Sequence, residues 1–129
     1  MPEQQPEIAE GVASIDRIVH EPARLAILTV LASCERADFL YLERATGLTR
    51  GNLSVQMTRL EEAGLIDIEK TIEHKRTLTT ASLKFSGRGA LEAYWKQMDS
   101  LREMARPSLR QVKAVQGGRV SGRVAPAFS

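Results

Sequence analysis

The sequence is short of the residues that build disulfides, metal centres and catalytic clusters. It holds one cysteine, Cys34, and two histidines, His20 and His74, among 129 residues. A lone cysteine excludes an intramolecular disulfide and fits a reducing compartment. A structural zinc site takes about four close cysteine or histidine ligands, so neither a metal nor a cofactor is expected. The histidines fall at a helix start and at a hairpin tip, without the nearby nucleophile a triad requires. Ser86-Gly87-Arg88-Gly89 is too short for a phosphate-cradling loop and follows the wrong kind of element. These absences argue against an enzyme. No apolar run approaches the roughly 18–20 residues of a membrane helix. The opening MPEQQPEIAE lacks the basic-then-apolar order of a signal peptide. The expected location is the cytoplasm.

What is present reads as one globular domain with tails. Hydrophobic residues make up 43% and charged residues 26%, ordinary for a packed chain. At roughly 150 residues per domain the length allows one. Charge is informative by position: 18 basic against 16 acidic residues leave a net +2. Glu3, Glu7 and Glu10 open the chain without a base, and Arg110, Lys113, Arg119 and Arg123 close it without an acid. The reading is a flexible segment over 1–7, a folded domain over 8–106 and a basic, disordered tail over 107–129. That tail carries Pro107, Pro126 and the echo Gly118-Arg119-Val120, Gly122-Arg123-Val124.

Periodicity supplies the elements. Ile8, Val12, Ile15 and Val19 recur at helical spacing. After His20-Glu21, Pro22 suits a first helical position, and Ala23 to Ala32 is apolar nearly all round, the mark of a central helix. Asp38 caps a short helix through Phe39, Leu40, Leu42 and Ala45, ended by Gly47. Thr49 caps the next, with Leu48 and Leu53 placed as a hydrophobic staple; it runs through Met57 and Leu60 and stops at Gly64. The period then becomes two. Ile66, Ile68 and Ile72 alternate with Asp67, Glu69 and Thr71 as a half-buried strand, and Thr77 to Leu83 is a second, separated by Glu73-His74-Lys75-Arg76. From about Phe85 the helical period returns through Leu91, Tyr94, Trp95, Met98, Leu101 and Ala105, stopped by Pro107. The fold class is mainly α with a small β-hairpin (α+β): a winged helix-turn-helix flanked by terminal helices.

From Pro22 to Tyr94 the residues resemble the small winged-helix transcriptional regulators of the MarR/ArsR type, in particular their minimal single-domain branch. The strongest stretch is DFLYLERATGLTRGNLSVQMTRLEEAGLI, and SLKFSGRGALEAY is similar to the family's entry into its last helix. Lys84, Phe85 and Gly89 depart from the usual pattern there. The cysteine-bearing metal-sensing motif of some ArsR relatives is missing.

The resemblance implies double-stranded DNA as partner. On the helix from Thr49, Leu53, Met57 and Leu60 gather on one side, which turns Gly51, Ser54, Val55 and Thr58 outward with Asn52 and Arg59 on a flank. Asn52 can bond adenine bidentately, Arg50 or Arg59 can reach guanine or phosphate, and Val55 can meet a thymine methyl. Thr49 and the first helical N–H groups suit a phosphate. His74, Lys75 and Arg76 at the wing tip would straddle the backbone or enter the minor groove. On chemistry alone the favoured reading is that Thr49 is only a cap and the rest a solvated face; the resemblance turns the reading to DNA. Ile8, Val12 and Ile15, with Tyr94, Trp95, Met98 and Leu101, are expected to form a two-fold homodimer interface. A small-molecule effector is compatible with the resemblance, though no residue names it. Cys34 reads either as a redox sensor or as a small core filler.

The function expected is a sequence-specific transcriptional regulator, taken as a repressor. Two alternatives remain open: a winged-helix protein-interaction module that binds no DNA, and a non-specific architectural DNA binder. The last would bind any duplex equally and lose that binding with residues 107–129.

Overall fold

Helix α1 spans Pro6–Ala13, two residues ahead of its expected start, and ends well before Val19. The computed structural model describes residues 6–107; the first five residues and the expected tail beyond Pro107 lie outside them. Two short polar side chains end α1. Ser14 Oγ donates to the Gly11 carbonyl at 2.9 Å, and Asp16 Oδ1 accepts from the Ile18 and Val19 amides at 2.9 and 3.2 Å. Such local bonds offer the backbone an alternative to the helical ladder. The chain turns instead of continuing, which is how Val19 reaches the core fully buried.

Helix α2, Pro22–Ala32, starts where the proline predicts, with Glu21 as its cap accepting from the Arg24 amide at 2.8 Å. Ile27, Leu28 and Leu31 are completely buried and form the axis of the core. A strand of two residues, β1 (Ala37–Asp38), follows, and Asp38 then caps α3 (Phe39–Thr46) by accepting from the Tyr41 amide at 2.7 Å. Helix α4, Arg50–Glu62, is capped by Thr49, and Leu53, Met57 and Leu60 face inward as the spacing predicts. Its end is a Schellman turn: Gly64 takes φ +79°, and the Leu65 amide donates to the Leu60 carbonyl at 3.0 Å.

Strands β2 (Ile66–Glu73) and β3 (Arg76–Leu83) pair antiparallel from Ile66↔Leu83 to Glu73↔Arg76. The sequence reading missed β1, which adds Ala37↔Ala81 and Asp38↔Thr80 on the other side of β3 and makes a three-stranded sheet in the order β1-β3-β2. Two residues carry no detectable period, so only the fold reveals this strand. The hairpin is half-buried only at its base. Ile66 is fully buried and Ile68 partly so, but Ile72, expected on the buried face, is 77% exposed. The hairpin outruns the core, and no partner remains at that distance for an inward side chain.

Helix α5, Phe85–Met104, starts without a side-chain cap at Lys84. Other contacts hold its first turn: the Lys84 amide donates to the Leu65 carbonyl at 2.9 Å and Ser86 Oγ to the Gly64 carbonyl at 2.6 Å. Gly87 makes this approach feasible. A Cβ there would overlap the Leu65 carbonyl oxygen and come within 2.7 Å of Leu83 Cδ1. Helix α1 lies along α5, brought close at Gly11, where a Cβ would sit 3.0 Å from Leu101 Cδ2. Gln97 on α5 donates to the Ser14 carbonyl at 2.7 Å and accepts from the Asp16 amide at 3.3 Å.

Two glycines of one helical turn should therefore behave oppositely. Gly87→Ala is expected to lose about 1–3 kcal/mol by overpacking. Gly89→Ala, with nothing within 4 Å of its added carbon, should gain about 0.5–1 kcal/mol from reduced backbone entropy. Urea unfolding with an unchanged slope reads both, and equal effects of the two substitutions would contradict the close approach.

Candidate nucleic-acid interface

The α4 face expected to be free is free. Thr49, Arg50, Gly51, Asn52, Ser54, Val55, Thr58 and Arg59 are all exposed. Thr49 spends its hydroxyl oxygen on the Asn52 amide at 3.2 Å, leaving the Arg50 and Gly51 amides at the helix N-terminus, where the dipole favours an anion. No carbon or heteroatom stands within 4 Å of a carbon built on Gly51, so that position is open rather than crowded. Thr58 turns its hydroxyl back to the Ser54 carbonyl at 3.0 Å.

The wing tip is a two-residue loop with φ +50° at His74 and +63° at Lys75. Positive φ at both central residues is the signature of a type I′ hairpin turn, whose usual occupants are asparagine and glycine. Placing histidine and lysine there costs backbone strain of order 1 kcal/mol or more at each. The turn sets two cationic-capable side chains at the far end of the hairpin, with Arg76 directly behind them. A cleft of about 810 Å³ runs between this tip and the start of α4, lined by Arg50, Glu73, His74 and Arg76 with Phe39, Leu40 and Leu78 at its floor. Arg50 of the helix and His74 and Arg76 of the wing thus border one concavity, while Arg59 lines a separate pocket beside Ile18 and Arg24.

Three residues that sequence reasoning passed over organise this surface. Arg24 sits on the buried stripe of α2, at 9% exposure, and among the described residues no carboxylate is bonded to it. It donates through Nε to the Ile18 carbonyl at 2.6 Å and through Nη1 to Gln56 Oε1 on α4 at 2.8 Å. Gln56 in turn donates through Nε2 to Asn52 Oδ1 at 3.1 Å. A signal for Arg24 existed: positions 24, 27, 28 and 31 share one helical face, and a charged member of a buried stripe must find partners. Nothing in the sequence marked Gln56. The third is Glu43 on α3, whose Oε1 is shut from solvent, accepts no hydrogen bond among the described residues and stands 3.7 Å from Arg50 Nη2. With Arg50 largely exposed, such a pair is worth little in stability; it holds the guanidinium near the α3–α4 junction.

The residues expected at a dimer interface divide. Tyr94 is 4% exposed and belongs to the protomer's own core, its hydroxyl 2.8 Å from His20 Nδ1. Expected in the dimer stripe, Tyr94 instead packs within the protomer, where α5 turns it in beside Leu91 toward the α1–α2 connection. Met98 packs against the same core, and Leu101 faces Gly11 of α1. Ile15 is partly buried. Ile8, Val12 and Trp95 keep 39%, 54% and 43% of their surface exposed. Cys34 is partly buried, its thiol 3.5 Å from the Val30 carbonyl. Among the described residues no helix is long and apolar enough to cross a membrane, and no group of three His, Cys, Asp or Glu side chains is placed to hold a metal.

Comparison with known proteins bears on this geometry. An uncharacterised protein of Methanocaldococcus jannaschii is 32% identical over 78 residues, which cover 60% of this chain and 85% of that one. A transcriptional regulator homologue from Pyrococcus horikoshii superposes with a TM-score of 0.67 at 24% identity, over 75% of this chain and 95% of the other. A MarR-family transcriptional regulator from Silicibacter pomeroyi does so with a TM-score of 0.55 at 16% identity, over 86% and 75%. At these identities the structural likeness is one of fold, that of a winged helix. The family model of a winged helix DNA-binding domain matches residues 23–102, from the first turn of α2 to the last turn of α5, and the chain belongs to that family.

Proposed function

We propose that the protein is a sequence-specific regulator of transcription that binds double-stranded DNA as a homodimer and represses by occluding a promoter. The observation that supports this most is the shared cleft. Arg50 at the start of α4 and His74 and Arg76 of the wing border it together, so one duplex can meet the helix in its major groove and the wing on the adjacent backbone. The outward residues of α4 are small, which lets the helix backbone approach base edges. Arg50 and Arg59 supply guanine or phosphate contacts, Asn52 a base contact, and Thr49 with the first amides a phosphate contact. The dimer reading rests on Ile8, Val12 and Trp95, apolar side chains left open on the adjoining helices α1 and α5. A two-fold pair would present its recognition helices to half-sites about 34–36 Å apart.

Fluorescence anisotropy at about 150 mM salt should separate a duplex from upstream of the protein's own gene from a scrambled one by roughly 10³-fold. Affinity should fall steeply with added salt as counterions are released. Arg50→Ala with Asn52→Ala should abolish the preference. Absence of salt-dependent binding even at low salt would favour the protein-interaction reading.

For the wing, His74→Asn with Lys75→Gly relieves both positive-φ positions and removes a cation. Stability should rise by about 2 kcal/mol while affinity for every duplex falls and the salt slope drops by about one. A stabilised protein with unchanged affinity would remove the wing from the interface.

Sedimentation at micromolar concentration should show about twice the 14.3 kDa of the chain. Val12→Glu with Trp95→Glu, both at exposed positions, should give a folded monomer; a wild-type monomer would end the dimer reading.

A further inference from the structure

We propose that Arg24 is a positioning residue: through Gln56 it dictates which side of the Asn52 amide faces a bound duplex, so that Asn52 reads its base by donating hydrogen bonds. The inference rests on the reading of α4 as the groove element and adds the polarity of one of its contacts.

The argument starts from an asymmetry of chemistry. A guanidinium has five N–H donors and no acceptor. Arg24 is nearly buried, and its three bonds go to the Ile18 carbonyl at 2.6 Å, the Arg17 carbonyl at 3.4 Å and Gln56 Oε1 at 2.8 Å. The oxygen and nitrogen of a side-chain amide have nearly the same shape, and their neighbours decide which way round they sit. Facing a group that can only donate, Gln56 must present its oxygen. Its Nε2 is then turned along α4 toward the residue one turn earlier, and it donates to Asn52 Oδ1 at 3.1 Å. Residues four apart on a helix are neighbours, so the relay needs no movement of the backbone. Asn52 has its oxygen held along the helix, and its Nδ2 has no partner among the described residues. One polarity therefore passes from a dry interior, through a half-buried glutamine, to an exposed tip.

The consequence is a base preference. An outward Nδ2 suits an edge that accepts, and guanine, with N7 and O6, offers two acceptors in the major groove. The N4 amine of cytosine would set donor against donor. The bidentate adenine contact available to a free asparagine needs oxygen and nitrogen turned to the base together, and the bond from Gln56 draws the oxygen away.

Gln56→Glu tests this with little risk to the fold. A carboxylate keeps an acceptor on Arg24 and adds opposite charge, but it has no N–H for Asn52. The Asn52 amide must then turn its nitrogen inward and offer its oxygen. Duplexes selected from a randomised pool by the wild type should carry guanine at one position per half-site. For Gln56→Glu that position should shift by about tenfold toward an edge that donates, the N4 amine of cytosine or the N6 amine of adenine. The added negative charge weakens all duplexes alike, so the ratio between duplexes differing at that position is the readout. Gln56→Met, which can neither accept nor donate an amide bond, should bring the ratio toward one. In the free protein, the Asn52 side-chain amide protons should move downfield in Gln56→Glu as they gain a carboxylate acceptor. An unmoved Asn52 amide, or the same preferred base in wild type and Gln56→Glu with uniformly lower affinity, overturns the proposal. A pool from which the wild type selects nothing, with the amide protons shifted as expected, would keep the relay, remove its base preference and overturn the DNA reading beneath it.

Discussion

A guanidinium taken out of water must find acceptors, and in this protein much else is arranged around that requirement. Among the described residues Arg24 has no carboxylate partner, and it draws on backbone carbonyls of the segment after α1 and on one side-chain amide of α4. An unpaired charge at that depth would cost several kcal/mol. The loop of residues 14–21 is therefore held against α2, and α4 is tied to the same helix by a polar bond in addition to the packing of Leu53, Met57 and Leu60. A hydrophobic contact would allow α4 to slide or rotate slightly against the core. A charge-assisted hydrogen bond of 2.8 Å allows much less, because its strength depends on direction.

The hairpin obeys a different constraint. Its base is anchored by Ile66, Ala81 and the short strand β1, while its outer half has water on both faces. Cross-strand pairing alone holds a two-stranded ribbon poorly, and the turn adds strain at His74 and Lys75 rather than relieving it. A sequence optimised for stability would place asparagine and glycine there. Keeping histidine and lysine, with Arg76 beside them, trades backbone comfort for charge at the tip, and strained positions of this kind gather where a protein meets its ligand.

At the opposite pole, α5 does two jobs with one stripe of apolar residues. Its first half closes the domain, with Gly87 against the Leu65 backbone and Tyr94 over His20. Its second half supports α1, which is too short to stand alone and lies close at Gly11, where a side chain would crowd Leu101 Cδ2. Burial is shared unevenly between the helices, and Ile8, Val12 and Trp95 keep much of their apolar surface exposed.

Much of this was legible in the residues themselves. Helical and strand periods, the caps Asp38 and Thr49, the stops Gly47 and Gly64 and the outward set on α4 are local properties: each depends on neighbours within a turn or two, which sequence spacing encodes directly. Features that depend on distant neighbours were not legible. Tyr94 points inward and Ile72 outward because of where the core happens to end; Ser14 and Asp16 end α1 where apolar spacing alone would have carried it on to Val19. Gln56 looked like any solvated glutamine until α2 placed a donor-only group 32 residues away against its oxygen. The sequence by itself determined which elements form and which face of α4 is polar, because those follow from periodicity and capping. Tertiary structure alone decided how that face is oriented and which of its atoms point outward, because hydrogen-bond polarity is settled by the partner, and the partner is brought there only by folding.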